Sequence, residues 1–169
     1  MTSRYVKQLG NRFIEEGIPL ESFDEEKSLM RDTFRIFADE TVKPLAEQIH
    51  RENLLVPEEI IEPLRQMGVF GLSVPICFGG LTPDGQDDSL GMVIATEELS
   101  RGSLGAAGSL ITRPEIMARA ILEGGTDAQK SKWLPGIAKG DPLCAVSVTE
   151  PNTGSDVARM SGVHSQKLT

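Results

Sequence analysis

Apolar residues at Met30, Phe34, Phe37, Leu45 and Ile49 recur at helical spacing, which predicts an amphipathic helix with one buried stripe. Ser22 and Glu25 stand three apart as the capping-box pair that would open it, and Asp24-Glu25-Glu26 places negative charge at its start. Pro44 should kink or divide it, because proline has no N–H to donate and crowds the preceding turn. A second helix is expected to begin at Pro57, turn Ile60, Ile61, Leu64 and Met67 inward, and stop at Gly68, with Pro63 weighing against its regularity. A third covers 88–101. A fourth follows Gly102 and ends before Gly124-Gly125, with an early interruption at Pro114. Thr126 and Gln129 form another capping box, opening a fifth helix through Trp133, Leu134 and Ile137 to Gly140, locally distorted at Pro135.

Between these helices, residues 68–85 are rich in Gly and Pro and read as an ordered, irregular apolar connection rather than a flexible linker. After Gly140 the period changes. Small and β-branched residues over 143–149 predict a strand, and 160–166 offer a second. The expected fold class is therefore mostly α: an N-terminal extension over 1–21, a helical domain over 22–141, and the incomplete start of a β-domain over 142–169.

Composition narrows the role. With 17 basic and 25 acidic residues the net charge is −8, which repels phosphate backbones and anionic lipid, so no nucleic-acid partner is expected. No apolar run reaches the ~18 residues of a membrane span. Arg4, Lys7 and Arg12 are followed at once by Glu15 and Glu16 with no apolar h-region, so neither a signal nor a transit peptide is expected, and a cytoplasmic protein is the simplest inference. Cys77 and Cys144 lie in apolar surroundings without metal-ligand spacing and are expected to be buried free thiols. His50 and His164 are isolated, so no metal site or catalytic triad is proposed.

Candidate chemistry gathers at Cys144-Ala-Val-Ser-Val-Thr-Glu-Pro-Asn-Thr-Gly-Ser-Asp-Val-Ala158. A Gly-Ser loop after a strand lets backbone N–H groups and a hydroxyl approach an anion closely, since glycine has no Cβ. By itself Thr-Gly-Ser-Asp is more often a plain Asx or Ser/Thr turn. The longer stretch Val148-Thr-Glu-Pro-Asn-Thr-Gly-Ser-Asp-Val-Ala158, however, resembles the flavin-binding signature of the acyl-CoA dehydrogenase family. So do, in order, Phe37-Ala-Asp-Glu-Thr-Val-Lys-Pro-Leu-Ala46, Met67-Gly-Val-Phe-Gly-Leu-Ser-Val-Pro75, Phe78-Gly-Gly-Leu81, Glu97-Glu-Leu-Ser-Arg101 and Gly125-Thr-Asp-Ala-Gln-Lys-Ser-Lys-Trp-Leu-Pro-Gly-Ile-Ala-Lys-Gly140. Together they cover about residues 24 to 165.

That resemblance implies a three-part fold: an N-terminal helical domain, a middle β-domain and a C-terminal four-helix domain, with FAD between them. It places Val146, Val148, Thr149, Gly154 and Ser155 in the FAD-contacting segment, with Val148 and Thr149 beside the isoalloxazine ring and Gly154 and Ser155 toward the pyrophosphate. Ser155 also matches a position on the acyl-CoA thioester side. Ser147 stands where many relatives carry Cys or Ala. The family's C-terminal glutamate removes the α-proton while the β-hydride goes to the flavin, and no residue here matches it. Glu150 is rejected as the base because the resemblance puts it in the turn after the strand. The 169-residue chain alone is accordingly expected to be inactive.

The resemblance also implies an acyl-CoA substrate, of short-chain or dicarboxylic type, an electron-transfer flavoprotein as electron acceptor, and a homotetrameric parent. Arg101 and Arg113 flank the fourth helix, along the family's acyl-chain pocket, where a guanidinium could pair with a substrate carboxylate. The commoner outcome at a helix end is an ion pair within the protein. Trp133 is expected in the core rather than stacked on a flavin. Residues 105–108, Gly-Ala-Ala-Gly, suggest either close helix contact or room for an acyl chain. Two other readings stand beside the dehydrogenase: a short non-enzymatic interaction protein derived from the family, and an acyl-CoA oxidase.

Overall fold

The computed structural model describes residues 25–84, 89–149, 151 and 153–156, and within them every regular element is a helix. Helix α1, Glu25–Phe37, runs through a π-turn at Ala38–Val42 into α2, Lys43–Arg51. The Lys43 N–H reaches back to the Ala38 carbonyl, and Pro44 follows with no N–H to give. The widened turn resets the hydrogen-bond register just ahead of the proline, which is how the expected division at Pro44 is realised. Helix α3, Glu58–Gln66, buries Ile60, Ile61 and Leu64, and Gly68 closes it with a positive φ of 71°.

The 68–84 connection is ordered, as its apolar composition suggested. Short 3₁₀ turns at Val69–Gly71 and Ile76–Phe78 are pinned by an isolated parallel bridge between Pro75 and Thr82. The Thr82 hydroxyl donates to the Leu72 carbonyl at 2.6 Å. Helix α4, Ser89–Ser103, leads through a second π-turn, Leu104–Gly108, into α5, Ser109–Gly124, and α6 covers Asp127–Lys139. At the head of α6 the two halves of the capping box are both made: Gln129 N–H donates to Thr126 Oγ1 at 3.3 Å, and Thr126 N–H to Gln129 Oε1 at 2.8 Å.

The stripe of Met30, Phe34, Phe37, Leu45 and Ile49 joins the main core, built around Ile60, Leu64, Ile94, Leu99 and Ile111. A smaller core of Val74, Ala118, Leu134, Ile137 and Ala138 lies between α5, α6 and the 3₁₀ segment. In the 105–108 segment, Ala106, Ala107 and Gly108 are buried, and a Cβ on Gly108 would run into the Ser100 side chain, so close helix contact explains this end of it. Gly105 faces open space.

Several expectations change. The strand expected over 143–149 does not form: these residues carry no ladder, because a strand exists only with a partner for its N–H and C=O groups, and none is present among the described residues. The second expected strand, the N-terminal extension, Ser22 and Asp88 lie outside the described residues. Pro114 does not interrupt its helix; it sits inside α5 and is buried, as Leu110, Ile111 and Ala118 of the same helix are. Cys77 is exposed and Cys144 half-buried, both free thiols. Trp133 is 46% exposed, on the outer side of α6 from buried Leu134 and Ile137.

A carboxylate is buried among the helices of the main core. Glu98 on α4 is 1% exposed. It accepts from Arg31 Nε at 3.0 Å, from Arg35 Nη2 at 2.6 Å and from Arg101 Nε at 3.0 Å. Arg101 also grips Asp39, in the first π-turn, through two 2.9 Å bonds. Burial alone would raise the Glu98 carboxyl, but hydrogen bonds from Arg35, Arg31 and Arg101 outweigh it and hold the group at about 2, below its ordinary 4.5. The Arg101 bond likewise lowers Asp39 to about 2.

Replacing Glu98 by Gln should cost about 3–5 kcal/mol in urea unfolding, because the buried negative charge that Arg31, Arg35 and Arg101 share is lost, leaving Glu97 at 3.8 Å as a longer pair to buried Arg31. Because the folded carboxyl is depressed, its contribution is complete above 4.5 and fades as pH falls toward about 2. Over that window the wild-type advantage over Glu98→Gln should shrink with falling pH; a gap that stayed constant would contradict the assignment.

Candidate functional site

The segment that carries the candidate chemistry leaves the helical body at the end of α6. Gly140 takes a φ of 68°, its N–H donates to the Ile137 carbonyl at 3.0 Å, and its carbonyl accepts from Arg65 Nε at 3.2 Å. A Cβ there would enter the Phe70 ring, so glycine is required on both conformational and steric grounds. The Asp141–Pro142 peptide is cis, and Asp141 N–H returns to Gly136 O at 3.0 Å. The chain is thus fixed at its exit by α3, α6 and Phe70 together.

From that anchor burial alternates at period two over 143–147, with Leu143, Ala145 and Ser147 exposed and Cys144 and Val146 half-buried, and the alternation ends there, since Val148 and Thr149 are both exposed. This is the side-chain pattern of a strand without its ladder. Beyond it the chain turns at Pro151, and Thr149 meets Gly154 again: the Thr149 methyl lies 3.9 Å from where a Gly154 Cβ would sit, with no other atom of the described residues given within 4 Å. The turn therefore presents the Thr149 and Ser155 hydroxyls and an open Gly154 backbone on one exposed loop, preceded by apolar Val146 and Val148. Hydroxyls with an unshielded glycine backbone suit the oxygens of a phosphate, and the valines suit a flat apolar ring.

Beside this segment, α5 and α6 diverge to leave an apolar groove of about 550 Å³, lined by Met117, Ile121, Trp133, Ile137, Leu143 and Cys144 among others. Burial raises the Cys144 thiol above its ordinary range, so it behaves as a small apolar group of the groove wall. Lys132 lies 4.7 Å from the centre of the Trp133 ring. The groove escaped sequence reading because Trp133 shares helical spacing with core residues; the missed signal was the polar pair Ser131 and Lys132 just before it, both exposed.

The two arginines separate. Arg101 is committed to Glu98 and Asp39, so the ion-pair reading holds for it. Arg113, exposed on α5, donates to Ser109 Oγ at 3.1 Å one turn back; among the described residues it makes no ion pair, and no hydrogen bond joins it to the 146–155 loop. The structure thus brings Thr149 and Gly154 together but leaves Arg113 apart from them. Glu98 and Arg31 were also missed, although each charge falls on an apolar stripe, beside Ile94 and Leu99 or three before Phe34, where an ion is buried only if paired.

Among the described residues no helix is long and apolar enough to cross a membrane, and no group of three or more metal-ligating side chains occurs. Residues 24–141 match the model of the acyl-CoA dehydrogenase N-terminal domain. The chain is 52% identical over 137 residues to the (2S)-methylsuccinyl-CoA dehydrogenase of Cereibacter sphaeroides, covering 81% of this chain and 24% of that protein. It superposes on the glutaryl-coenzyme A dehydrogenase glutaryl-CoA complex with a TM-score of 0.68 at 32% identity, over 83% of this chain and 35% of that one. On butyryl-CoA dehydrogenase from Megasphaera elsdenii the TM-score is 0.71 at 27% identity, over 81% and 35%. The chain belongs to the acyl-CoA dehydrogenase family. It spans about a quarter to just over a third of the length of the relatives it matches.

Gly140→Ala should destabilise the helical body by roughly 2–4 kcal/mol, the sum of a left-handed alanine and a forced shift of Phe70. Thermal and urea melts would measure it, and a loss below about 1 kcal/mol would mean the exit is not held as described.

Proposed function

We propose that this chain is the N-terminal part of a flavin-dependent acyl-CoA dehydrogenase that forms the Cα–Cβ double bond of a dicarboxylic acyl-CoA thioester. The observation that carries the reading is the exposed 146–155 loop, with Thr149 beside Gly154, following directly on the matched domain. FAD, when bound, supplies the hydride acceptor. Val146, Val148 and Thr149 would flank its ring, while the Gly154 backbone and Ser155 hydroxyl would receive its pyrophosphate. Ser155 would also face the thioester. These residues bind and orient; the proton-abstracting base comes from a part of the family fold beyond the match, and Glu150 is not it. An electron-transfer flavoprotein as acceptor and a tetrameric parent belong to the same proposal.

Two relatives favour the dicarboxylic class. The (2S)-methylsuccinyl-CoA dehydrogenase, at 52% identity, and a glutaryl-CoA dehydrogenase of Desulfococcus multivorans, at 32%, are both named for acyl groups with a second carboxylate. A guanidinium not already neutralised is what such a group needs, and Arg113 meets that condition where Arg101 does not.

In a full-length enzyme carrying this segment, Arg113→Ala should reduce kcat/KM for a dicarboxylic acyl-CoA about tenfold or more relative to a neutral one of equal length. Unchanged selectivity would remove Arg113 from the substrate site. Gly154→Val in the same enzyme should lower the bound flavin absorbance after purification, since a side chain there closes the backbone to a phosphate; full flavin occupancy would exclude the loop from that role.

A further inference from the structure

We infer that Arg65 is a positioning residue for the cofactor loop: its guanidinium sets the direction in which the 141–156 segment leaves the helices, and thereby how firmly that loop holds a flavin. This rests on the family reading above, and adds to it a side chain of α3 that would touch neither flavin nor substrate.

Arg65 lies in the last turn of α3, and its Nε donates at 3.2 Å to the carbonyl of Gly140, the residue that closes α6. One guanidinium thus stands at the C-terminal ends of two helices, where the carbonyl dipoles favour a positive charge. Its fork is held from the other side as well: Nη1 donates to Glu58 at 3.1 Å and to Glu62 at 3.3 Å. The Arg65 side chain is 27% exposed, so water competes for the Gly140 bond less than it would at an open surface. Lysine, a point charge on a flexible stem, could not serve the carbonyl and both carboxylates in one fixed geometry.

The neighbouring contacts limit approach without fixing direction. A Cβ on Gly140 would enter the Phe70 ring, and one on Gly71 would stand 3.4 Å from the Ala138 carbonyl oxygen, so α6 ends against the 3₁₀ turn. Gly140 and Asp141 return their N–H groups to the Ile137 and Gly136 carbonyls at 3.0 Å each. Pro142, Leu143 and Cys144 then line the groove, and Cys144 packs on the smaller core. A shift at Gly140 is therefore carried toward Val146 and Thr149 instead of being taken up by a slack linker.

In the 169-residue chain, Arg65→Met keeps the apolar stem but removes the charge and the donors. Residue-resolved hydrogen exchange should then show the Gly140 and Asp141 amides exchanging at least about tenfold faster, with helical circular dichroism unchanged. Glu58→Gln combined with Glu62→Gln frees the fork without touching the core and should give a smaller rise, about threefold. If Arg65→Met does not fold, this double variant decides alone, and unchanged amides in it overturn the clamp. Arg51→Met, which breaks the exposed pair with Glu47, should move neither amide. In a full-length enzyme carrying this segment, Arg65→Met should release flavin about tenfold faster and alter the absorbance bands of the bound flavin. Arg65→Lys, which keeps the charge and one donor at a time for the carbonyl, should bring retention back to within about threefold of wild type. Unchanged exchange in a folded Arg65→Met overturns the clamp. Faster exchange with wild-type flavin retention and spectrum overturns the positioning role and leaves the dehydrogenase reading standing. A wild-type enzyme that binds no flavin overturns that reading, and this role with it.

Discussion

Glu98 is the constraint on which the arrangement of the helices turns. A carboxylate and the Arg31 guanidinium have both been withdrawn from water, and they are tolerable there only with opposite charges at hand: Glu98 meets Arg31, Arg35 and Arg101, and Arg31 also has Glu97 at 3.8 Å. Arg31 and Arg35 are on α1, and Arg101 ties the same carboxylate to Asp39 in the π-turn. These contacts tie the axial position and rotation of α1 to α4. An apolar core of equal volume could be as stable, but it would permit sliding that this network forbids.

The two π-turns make that closeness possible. A Cβ on Gly102 would stand 3.1 Å from both the Ala38 Cβ and its carbonyl oxygen, and 3.3 Å from the Val42 Cβ, so the first π-turn lies almost against the backbone of α4. The second, Leu104–Gly108, starts just after Gly102, with the Ser103 hydroxyl accepting from Ala106 N–H at 3.2 Å. Each widened turn shifts the side-chain register by one position, letting α1 and α4 bury a charged pair while α2 and α5 continue with apolar stripes of their own.

From this rigid body the chain leaves along a defined path. Arg65, Phe70 and Gly140 fix where the 141–156 segment starts, so the loop bearing Thr149, Gly154 and Ser155 is carried by a frame rather than by its own few contacts. Such a division between a stiff scaffold and an exposed loop is how binding residues are usually held. The groove next to the segment belongs to the same design: it opens at the edge of the smaller core, with Met117, Ile121, Ile137 and Cys144 shared between the two.

Local rules made much of this legible. The Thr126 and Gln129 capping box, the αL stops at Gly68 and Gly140, and the stripe from Met30 to Ile49 depend on neighbours within a turn or two, and there the sequence alone determined the structure. Quoted motifs likewise identified the family, since they are chemical words with fixed order. What only the tertiary structure decided involves partners distant in the chain. Glu98 meets Arg31 across 67 positions. Trp133 faces outward because Leu134 and Ile137 take the core. Pro114 stays helical inside a helix whose neighbouring residues are buried, and 143–149 have no ladder among the described residues although their propensity is for a strand. Propensity acts within a segment, whereas ion pairing, burial and strand pairing need a second segment, and the sequence by itself does not say which one arrives.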